Sequence, residues 1–254
     1  MPVPLNDLIA ELDRLLEPRR FRDYGPNGLQ VPGKPEVTRV ATGVSASAEL
    51  FERALAAHAD LILVHHGLFW GRAAAPIDAA MKRRLKLLFD ADASLAAYHL
   101  PLDAHPTLGN NALIAAALGA ETHTPFGEHE GEPIGVLARF AGDGLDAPEL
   151  RARVAAVTAR EPLSFDSGPP RVRSIAIVSG AGASYLDDAI AAGADAFLTG
   201  EPAERVMTQA REAAIHFIAA GHYATETFGV KRLGEHLAER FGVEHVFVDV
   251  PNPI

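Results

Sequence analysis

Short apolar runs typical of β-strands alternate with helical patterns along most of this chain, and this alternation limits the folds it can adopt. The first apolar runs cover residues 39–44, 60–64 and 94–98, and the helical patterns that follow them cover 48–58, 79–89 and 109–118. Strands that alternate with helices of this length indicate crossover units and a largely parallel sheet. We therefore predict an α/β fold.

A polar interval containing glycine and proline, residues 121–132, separates this series from a second one with the same alternation. In the second series we predict strands at 172–178, 196–199 and 215–219. The interval is a plausible domain boundary. We predict two α/β domains, residues 1–124 and 125–254.

Two pairs of similar segments indicate that the second series repeats the first. ALAAHADLIL at 54–63 matches AIAAGADAFL at 189–198 without a gap. AAYH at 96–99 resembles AAGH at 219–222, with a slightly shorter spacing between the two copies. The matches occur in the same order in both halves, which favours two similar domains from an internal duplication.

Several histidines and carboxylates lie just past the ends of predicted strands. The apolar run ADLILVHHGLFWG ends in two adjacent histidines, and each AAxH segment is followed by a carboxylate four residues beyond its histidine. Ligands of open α/β sheets collect at the carboxyl ends of the strands. If the two halves face one another, these side chains converge, and such a cluster is costly to bury without a cation. The candidate residues are His65, His66, His99, Asp103, Glu201, His222 and Glu226.

The donor types select a class of metal. Imidazoles with bridging carboxylates suit a pair of divalent ions about 3.5–4 Å apart, as in two-metal hydrolases. Zinc, iron, manganese, cobalt and nickel fit nitrogen and oxygen donors, whereas calcium and magnesium prefer oxygen alone. The chain has no cysteine, which excludes thiolate ligands and a cysteine nucleophile. We predict an interdomain dinuclear site for transition metals.

Each of these features also has a structural interpretation. The His65–His66 pair can be a turn or a partly buried pair, and His222 with Glu226 can form the first turn of a helix with the acid placed against the dipole. Asp103 can stabilise the proline-containing turn that follows it. SGAGAS at 179–184 is a tight turn or a phosphate-binding loop. Asn27 can reach a site or form a turn, and Trp70 can line a substrate pocket or pack under its loop.

Charge and composition bear on partners and location. The formal net charge of -10 argues against nucleic acid as a partner, although Arg19, Arg20 and Arg22 form a small basic patch. The patch is most simply a solvated loop. The N-terminus lacks the basic-then-apolar layout of a signal peptide, and no run has the length of a membrane span. We expect a cytoplasmic protein that does not bind membranes.

Five segments resemble the family of GTP cyclohydrolase I type 2 homologues, also called the dinuclear metal centre hexameric proteins. They are NGLQV at 27–31, DLILVHHGLFWG at 60–71, YHLPLDAHPTLGNNALIAAALG at 98–119, DAFLTGE at 195–201 and GHYATETFGVKRLGEHL at 221–237. They span nearly the whole chain, and the third and fifth are highly specific. The chain resembles the short form of the family, without an inserted domain.

The resemblance implies a toroidal homohexamer of two-domain subunits with a two-metal site. The family's metal ligands correspond to His65, His66, Asp103, His222 and Glu226. The resemblance matches His99 to a histidine beside the metals that orients a ligand or transfers a proton, and it places Glu201 at a position near the same cleft. The family name implies a nucleotide-like small-molecule substrate.

Together these features predict a metal-dependent hydrolase-like protein, similar to GTP cyclohydrolase, with a metal-bridged water as the nucleophile. His99 and Glu201 are the candidate catalytic residues for moving the proton. The alternative is a non-catalytic metal-binding protein that delivers metal or binds partners as a ring. An open coordination position and turnover by clean protein would favour the enzyme over this alternative.

Overall fold

The computed structural model of this protein describes residues 1–71 and 76–254. The strands are β1 Val3–Pro4, β2 Gly28–Val31, β3 Glu36–Val37, β4 Arg39–Ser45, β5 Leu61–His66, β6 Ser94–Ala97, β7 Thr122–His129, β8 Glu132–Arg139, β9 Leu145–Asp146, β10 Leu163–Phe165, β11 Arg171–Val172, β12 Ser174–Val178, β13 Ala196–Thr199, β14 His216–Ala219 and β15 Glu244–Phe247. The α-helices are α1 Leu5–Leu16, α2 Ala48–Ala56, α3 Ala79–Ala91, α4 Leu100–Ala104, α5 Asn110–Ala117, α6 Ala147–Thr158, α7 Leu186–Ala191, α8 Val206–Glu212, α9 His222–Thr225 and α10 Thr227–Phe241. Short 3-10 helices cover Pro18–Arg20 and Gly182–Tyr185.

The chain divides into two units by its internal contacts. The first unit contains Met1–Leu102 and Gly229–Val250, and the second contains Asp103–Phe228 and Pro251–Ile254. This division differs from the predicted boundary between residues 124 and 125. The difference arises because α5 packs into the core of the second unit, while β15 pairs with β4 in the first.

The first unit has a five-stranded sheet in the order β15-β4-β5-β6-β2. Strands β15, β4, β5 and β6 are parallel, and β2 is an antiparallel edge strand. Strand β5 lies near the centre of the sheet, and Leu61 to Val64 are completely buried. A strand buried on both faces is a continuous apolar run, as the sequence of β5 is. The parallel strands predicted here are confirmed.

Helix termini in both units are fixed by local side chains. Ser47, Asp78 and Asp146 precede α2, α3 and α6, and each accepts a hydrogen bond from a backbone amide in the first turn. These caps satisfy amides that have no partner within the helix. They explain why the helices begin where they do.

The second unit has a six-stranded sheet in the order β10-β14-β13-β12-β8-β7. Strands β12, β13 and β14 are parallel, whereas β10, β8 and β7 run antiparallel to their neighbours. The sheet is therefore mixed, and the expectation of a largely parallel sheet holds only for its centre. Residues 122–129, inside the predicted polar interval, form strand β7 of a hairpin. Their polarity reflects an edge strand whose first four residues are exposed.

The sheet registers can be compared with the predicted repeat. Leu61 pairs with Val40 in the first unit, and Ala196 pairs with Ile175 in the second, so both strands follow the alignment of the first sequence match. At the third strand, Val64 pairs with Ala97 and Thr199 pairs with Ala219. The sheets thus align Ala97 with Ala219, whereas the sequence match aligns it with the next residue. The first match agrees with the sheets, and the second is shifted by one position.

Within residues 1–71 and 76–254, none of the helices combines the length and the apolar character needed to cross a membrane.

Candidate metal centre

Three histidines lie together at the carboxyl ends of the parallel strands of the first unit. His65 and His66 are the last residues of β5, and His99 lies two residues beyond the end of β6. His65 is completely buried, and His66 and His99 are partly exposed. The three residues occupy the sheet edge where ligands of open α/β sheets bind. The sequence prediction for this group is consistent with its position.

The ring nitrogens of the three histidines are close enough to share a cation. One nitrogen from each ring lies within 4.8 Å of the nitrogens of the other two. The ring centroids of His65 lie 4.8 Å from those of both His66 and His99, and the centroids of His66 and His99 are 5.4 Å apart. Neutral imidazoles at this spacing form a donor set for a transition metal.

Each of these rings has a hydrogen-bond partner at Nδ1. His65 Nδ1 donates to the carbonyl of Tyr98 at 3.0 Å, and His66 Nδ1 lies 3.0 Å from the Ser45 hydroxyl. His99 Nδ1 bonds to Asp23 Oδ1 at 2.7 Å. Histidines that bind metal commonly engage their second nitrogen in this way, and the bond fixes both the tautomer and the ring orientation. The donor chemistry of the first unit therefore fits a metal bound through Nε2 atoms.

Asp23, which holds His99, is a buried carboxylate. Its side chain is 2% exposed. Burial alone would raise the pKa of Asp23, but hydrogen bonds from His99, Asn27 and the Tyr24 amide, with the charge of His99, hold this pKa below its usual value. Asp23 is therefore a stable anion bonded to the His99 ring nitrogen. Its sequence context gives no signal for this role, because Asp23 lies in a turn-rich loop without periodicity.

Two aromatic side chains lie beside the histidine group. The Trp70 ring lies 5.7 Å from that of His66 and 5.3 Å from that of His99, and Trp70 is 47% exposed. Tyr24 makes an edge contact with His99 at 6.0 Å. These positions favour the prediction that Trp70 lines a pocket over the prediction that it packs under its loop.

A cleft of about 740 Å³ opens beside the Asp23 loop. Arg19 and Arg22 of the predicted basic patch line it, together with Asp23 and Asn27. Both arginines are exposed. The cleft thus brings positive charge to the loop that holds His99.

The second unit brings together three further predicted residues at the ends of β13 and β14. His222 begins α9, three residues after β14 ends, and Glu201 follows β13 by two residues. His222 Nδ1 bonds to Glu201 Oε1, and His222 Nε2 lies 3.1 Å from Glu226 Oε2. Glu226 is 2% exposed. One imidazole therefore lies between two carboxylates, one of which is deeply buried.

The electrostatics of this group favour a cation. Burial lowers the pKa of His222, but the hydrogen bonds and negative charges of Glu226 and Glu201 outweigh it and raise this pKa to about 9. A buried carboxylate needs a positive partner. A divalent ion bound by the same imidazole and carboxylates would meet that need, so this donor set also fits a metal.

Asp103 lies in a buried polar network in the second unit. Its Oδ1 accepts a hydrogen bond from Asn110 Nδ2 at 2.8 Å and from Ser179 Oγ at 3.0 Å. Asn111 donates to the Asp103 carbonyl and accepts from the amide of Ser179. The network fixes the carboxylate in one orientation. Sequence patterns do not reveal the roles of Asn110, Asn111 and Ser179, because the network links distant parts of the chain.

The SGAGAS segment forms a tight turn between two of the predicted ligands. Its Ser179 contacts Asp103, while its Gly180 amide donates to Thr225 Oγ1 at 3.1 Å. Gly180 has φ +62°, and a Cβ there would lie 2.2 Å from Glu226 Oε1. The amide of Gly182 donates to Thr199 Oγ1. These amides donate to groups of the protein itself, which favours the predicted tight turn over the predicted phosphate-binding loop.

Comparison with known proteins gives matches over the whole chain. A family model described as Duf34/NIF3 (NGG1p interacting factor 3) matches residues 3–253. A protein from Pseudomonas aeruginosa named GTP cyclohydrolase 1 type 2 homolog is 47% identical over 254 residues, which cover 100% of both chains.

Solved structures give the same result. The structure of a protein called ybgI, described as of unknown function, has a TM-score of 0.92 at 40% identity and covers 99% of this chain and 100% of that one. TTHA1606 from Thermus thermophilus has a TM-score of 0.90 at 39% identity, with coverage of 99% and 100%. The mixed α/β fold with several sheets is shared with these proteins, and the predicted resemblance is confirmed. This chain belongs to the Duf34/NIF3 family.

Proposed function

We propose that this chain is a metal-dependent hydrolase-like protein in which donors from both units hold two divalent transition-metal ions. The observation that carries the proposal is the group of His65, His66 and His99, whose rings lie within metal-binding distance while each Nδ1 has a partner of its own. His65 and His66 would supply the donors of the first unit and Asp103, His222 and Glu226 those of the second, with His99 beside them for proton transfer. Zinc, iron, manganese, cobalt and nickel all suit these nitrogen and oxygen atoms.

The residues around the donors support hydrolytic chemistry. Two divalent ions at such a site supply Lewis acidity and lower the pKa of water towards neutrality. His99 presents a second ring nitrogen that can accept a proton, since its Nδ1 is held by Asp23. Glu201 is partly exposed and holds His222 through one oxygen, so its other oxygen can also receive a proton. We assign proton transfer to His99 and Glu201.

For the substrate we propose a nucleotide-like small molecule with a hydrolysable C–N, C–O or P–O bond. The relatives carry the name GTP cyclohydrolase 1 type 2 homolog, which suggests a purine nucleotide as the first compound to test. The half-exposed face of Trp70 can stack on a planar ring. Arg19 and Arg22 in the nearby cleft can bind an anionic group.

Three further features are proposed from the sequence. They are a toroidal homohexamer, a cytoplasmic location and an origin of the two units by internal duplication. The common alignment of the first two paired strands of each sheet supports the duplication. Size-exclusion chromatography with light scattering tests the hexamer.

Elemental analysis tests the metal site. Untagged wild-type protein is purified without added metal or chelator and compared with His66→Ala, His222→Ala and the double variant Asp103→Ala with His222→Ala. We expect about two ions per chain in the wild type, with loss in every variant, because donors of both units contribute. His123→Ala is the control, since His123 is exposed and its Nε2 bonds to the backbone carbonyl of Pro106.

Wild-type protein that stays metal-free after reconstitution would overturn the metal site. Loss of metal in His222→Ala but not in His66→Ala would overturn the joint use of donors from both units. A screen of purine nucleotides with the metal-loaded protein then tests turnover. Bound metal without turnover of any nucleotide would favour the alternative, a metal-binding protein that delivers metal or binds partners.

A further inference from the structure

The loop at residues 23–27 is built around one buried carboxylate. Asp23 accepts four hydrogen bonds: from the Tyr24 amide at 2.6 Å, Asn27 Nδ2 at 2.8 Å, the Leu100 amide at 2.9 Å and His99 Nδ1 at 2.7 Å. Each of these partners is an N–H group. A carboxylate surrounded by N–H donors acts only as an acceptor. His99 Nδ1 must therefore carry the proton in this bond.

The tautomer of a neutral histidine follows from such a bond. When Nδ1 carries the hydrogen, Nε2 holds the lone pair that can bind a metal or accept a proton. For His65 the same tautomer is set by a backbone carbonyl, which cannot be mutated away. For His99 it depends on one side chain. The described partner of His99 Nδ1 is the Asp23 side chain, so a substitution at Asp23 can remove it.

Asn27 holds both parts of this arrangement. Its Nδ2 donates to Asp23 Oδ2, and its Oδ1 accepts from the backbone amide of His99 at 2.7 Å. The amide side chain therefore links the carboxylate to the main chain of the residue that the carboxylate orients. Ring and backbone of His99 are held from the same loop. Asn27 thus contacts His99 as well as Asp23 of its own turn.

We propose that Asp23 and Asn27 are positioning residues that fix the tautomer and orientation of His99, so that its Nε2 is presented to the histidine group. This inference rests on the proposed function, because it assigns His99 the proton-transfer role described above. Carboxylates that orient a histidine from behind are a recurrent device of metal and acid–base sites. Both residues act through His99.

The test is the tautomer of His99 measured by NMR. Protein labelled with ¹⁵N in histidine is studied at about pH 8, above the ordinary histidine pKa of about 6.5, by long-range ¹H–¹⁵N correlation. His99→Gln identifies the His99 signals by their loss. We expect the wild type to have a protonated Nδ1 and an unprotonated Nε2 at His99. Finding the opposite tautomer in the wild type would overturn the proposal without any variant.

Asp23→Ala is the decisive variant, since it removes both carboxylate oxygens and with them the acceptor of the His99 Nδ1 hydrogen. We expect the Nδ1 signal of His99 to move towards the unprotonated position, while the His65 signals remain unchanged. Asp13→Ala is the matched control, because Asp13 lines the same cleft and accepts a hydrogen bond from the neighbouring Tyr98 hydroxyl. It should leave the His99 tautomer unchanged. An unchanged His99 spectrum in folded Asp23→Ala would contradict the proposal.

Asn27→Ala provides a second variant that keeps the carboxylate. It removes one donor to Asp23 and the acceptor of the His99 amide, so we expect broadened His99 signals with a smaller shift in the same direction. Sharp wild-type signals at His99 would contradict the role of Asn27.

Zinc titration of the same wild-type sample separates the two proposals. A His99 tautomer that depends on Asp23 in protein that binds no zinc would retain the positioning role and overturn the metal-dependent function. If the protein binds zinc but its His99 tautomer does not change when Asp23 is replaced, the metal-dependent function is retained and the positioning role is overturned.

Discussion

Ser179 donates its hydroxyl to Asp103 over 3.0 Å, although the two residues are 76 positions apart in the chain. The hydroxyl is buried, and Asn110 donates to the same carboxylate oxygen. These two hydrogen bonds to Oδ1 hold the carboxylate of Asp103 in place. They therefore also determine where its second oxygen, Oδ2, lies. Hydrogen-bond partners behind a metal ligand orient it and tune its affinity.

We expect Ser179→Ala to weaken zinc binding by about 10-fold or more, since loss of such a partner typically costs 10–100-fold in metal affinity. The unfolding free energy should fall by about 1 kcal/mol for the lost buried hydrogen bond. Isothermal titration with a competing chelator measures the affinity. Ser184→Ala, at an exposed serine of the same segment, is the control. Equal zinc affinity in Ser179→Ala and the wild type would count against Asp103 as a ligand.

Gly180→Ala should disturb Glu226. The substitution places a Cβ 2.2 Å from Glu226 Oε1 in a residue with φ +62°, so both backbone strain and steric overlap oppose it. Gly142→Ala is a matched control, because Gly142 has φ +55° and a Cβ there meets nothing within 4 Å. Both variants should lose about 1–2 kcal/mol of stability from the left-handed backbone.

Only Gly180→Ala should also lose metal, as measured by elemental analysis beside chemical denaturation. Equal stability losses and equal metal content in the two variants would show that the approach of Gly180 to Glu226 has no consequence.

The positions of the histidines could be predicted from sequence because each follows a buried strand. The apolar run of β5 ends at His65 and His66, and a core strand has no use for an imidazole unless its end carries a site. The same reasoning located His99 and His222 beyond β6 and β14. Periodicity and strand order are local signals, and they survive in a single sequence.

The supporting residues could not be predicted in this way. Asp23 lies in a loop between Arg22 and Tyr24, and its partners His99 and Leu100 lie 76 and 77 positions further along the chain. Strand β7 was missed because an exposed edge strand has polar residues like those of a loop. The second repeat match was displaced by one position because small-residue turns align equally well in either register. Long-range hydrogen bonds and edge strands depend on tertiary contacts that local patterns do not record.

The single tryptophan should report metal binding. Trp70 lies 5.7 Å from the ring of His66, close enough for a paramagnetic ion at the histidines to quench its fluorescence. We expect Co²⁺ to quench the emission much more strongly than Zn²⁺, and His66→Ala to reduce the Co²⁺ effect. His123→Ala should behave like the wild type. Equal quenching by Co²⁺ in His66→Ala and the wild type would place the ion away from the first unit's histidines.

Glu11 should make the first unit less stable as the pH falls into the acid range. The Arg14 hydrogen bond lowers the pKa of Glu11 from 4.5 to about 2, with smaller contributions from His236 and Arg240, while burial opposes the change. Because the unfolded chain binds this proton more readily, the stabilisation is complete above about pH 4.5 and is lost as the pH falls towards 2. Glu11 also joins α1 to α10 through its bond to His236 at 2.8 Å.

Glu11→Gln should therefore be less stable than the wild type at pH 6, by about 1 kcal/mol or more, because the charged partners lose their anion. The difference should shrink as the pH falls below 4.5, so the melting temperature of the variant should change less with pH than that of the wild type. Thermal unfolding followed by circular dichroism between pH 2 and 6 measures both. Glu17→Gln removes an exposed ion pair with Arg20 in the adjoining turn and should alter neither the stability nor its slope appreciably. A pH slope in Glu11→Gln equal to that of the wild type would mean that another carboxylate controls acid unfolding.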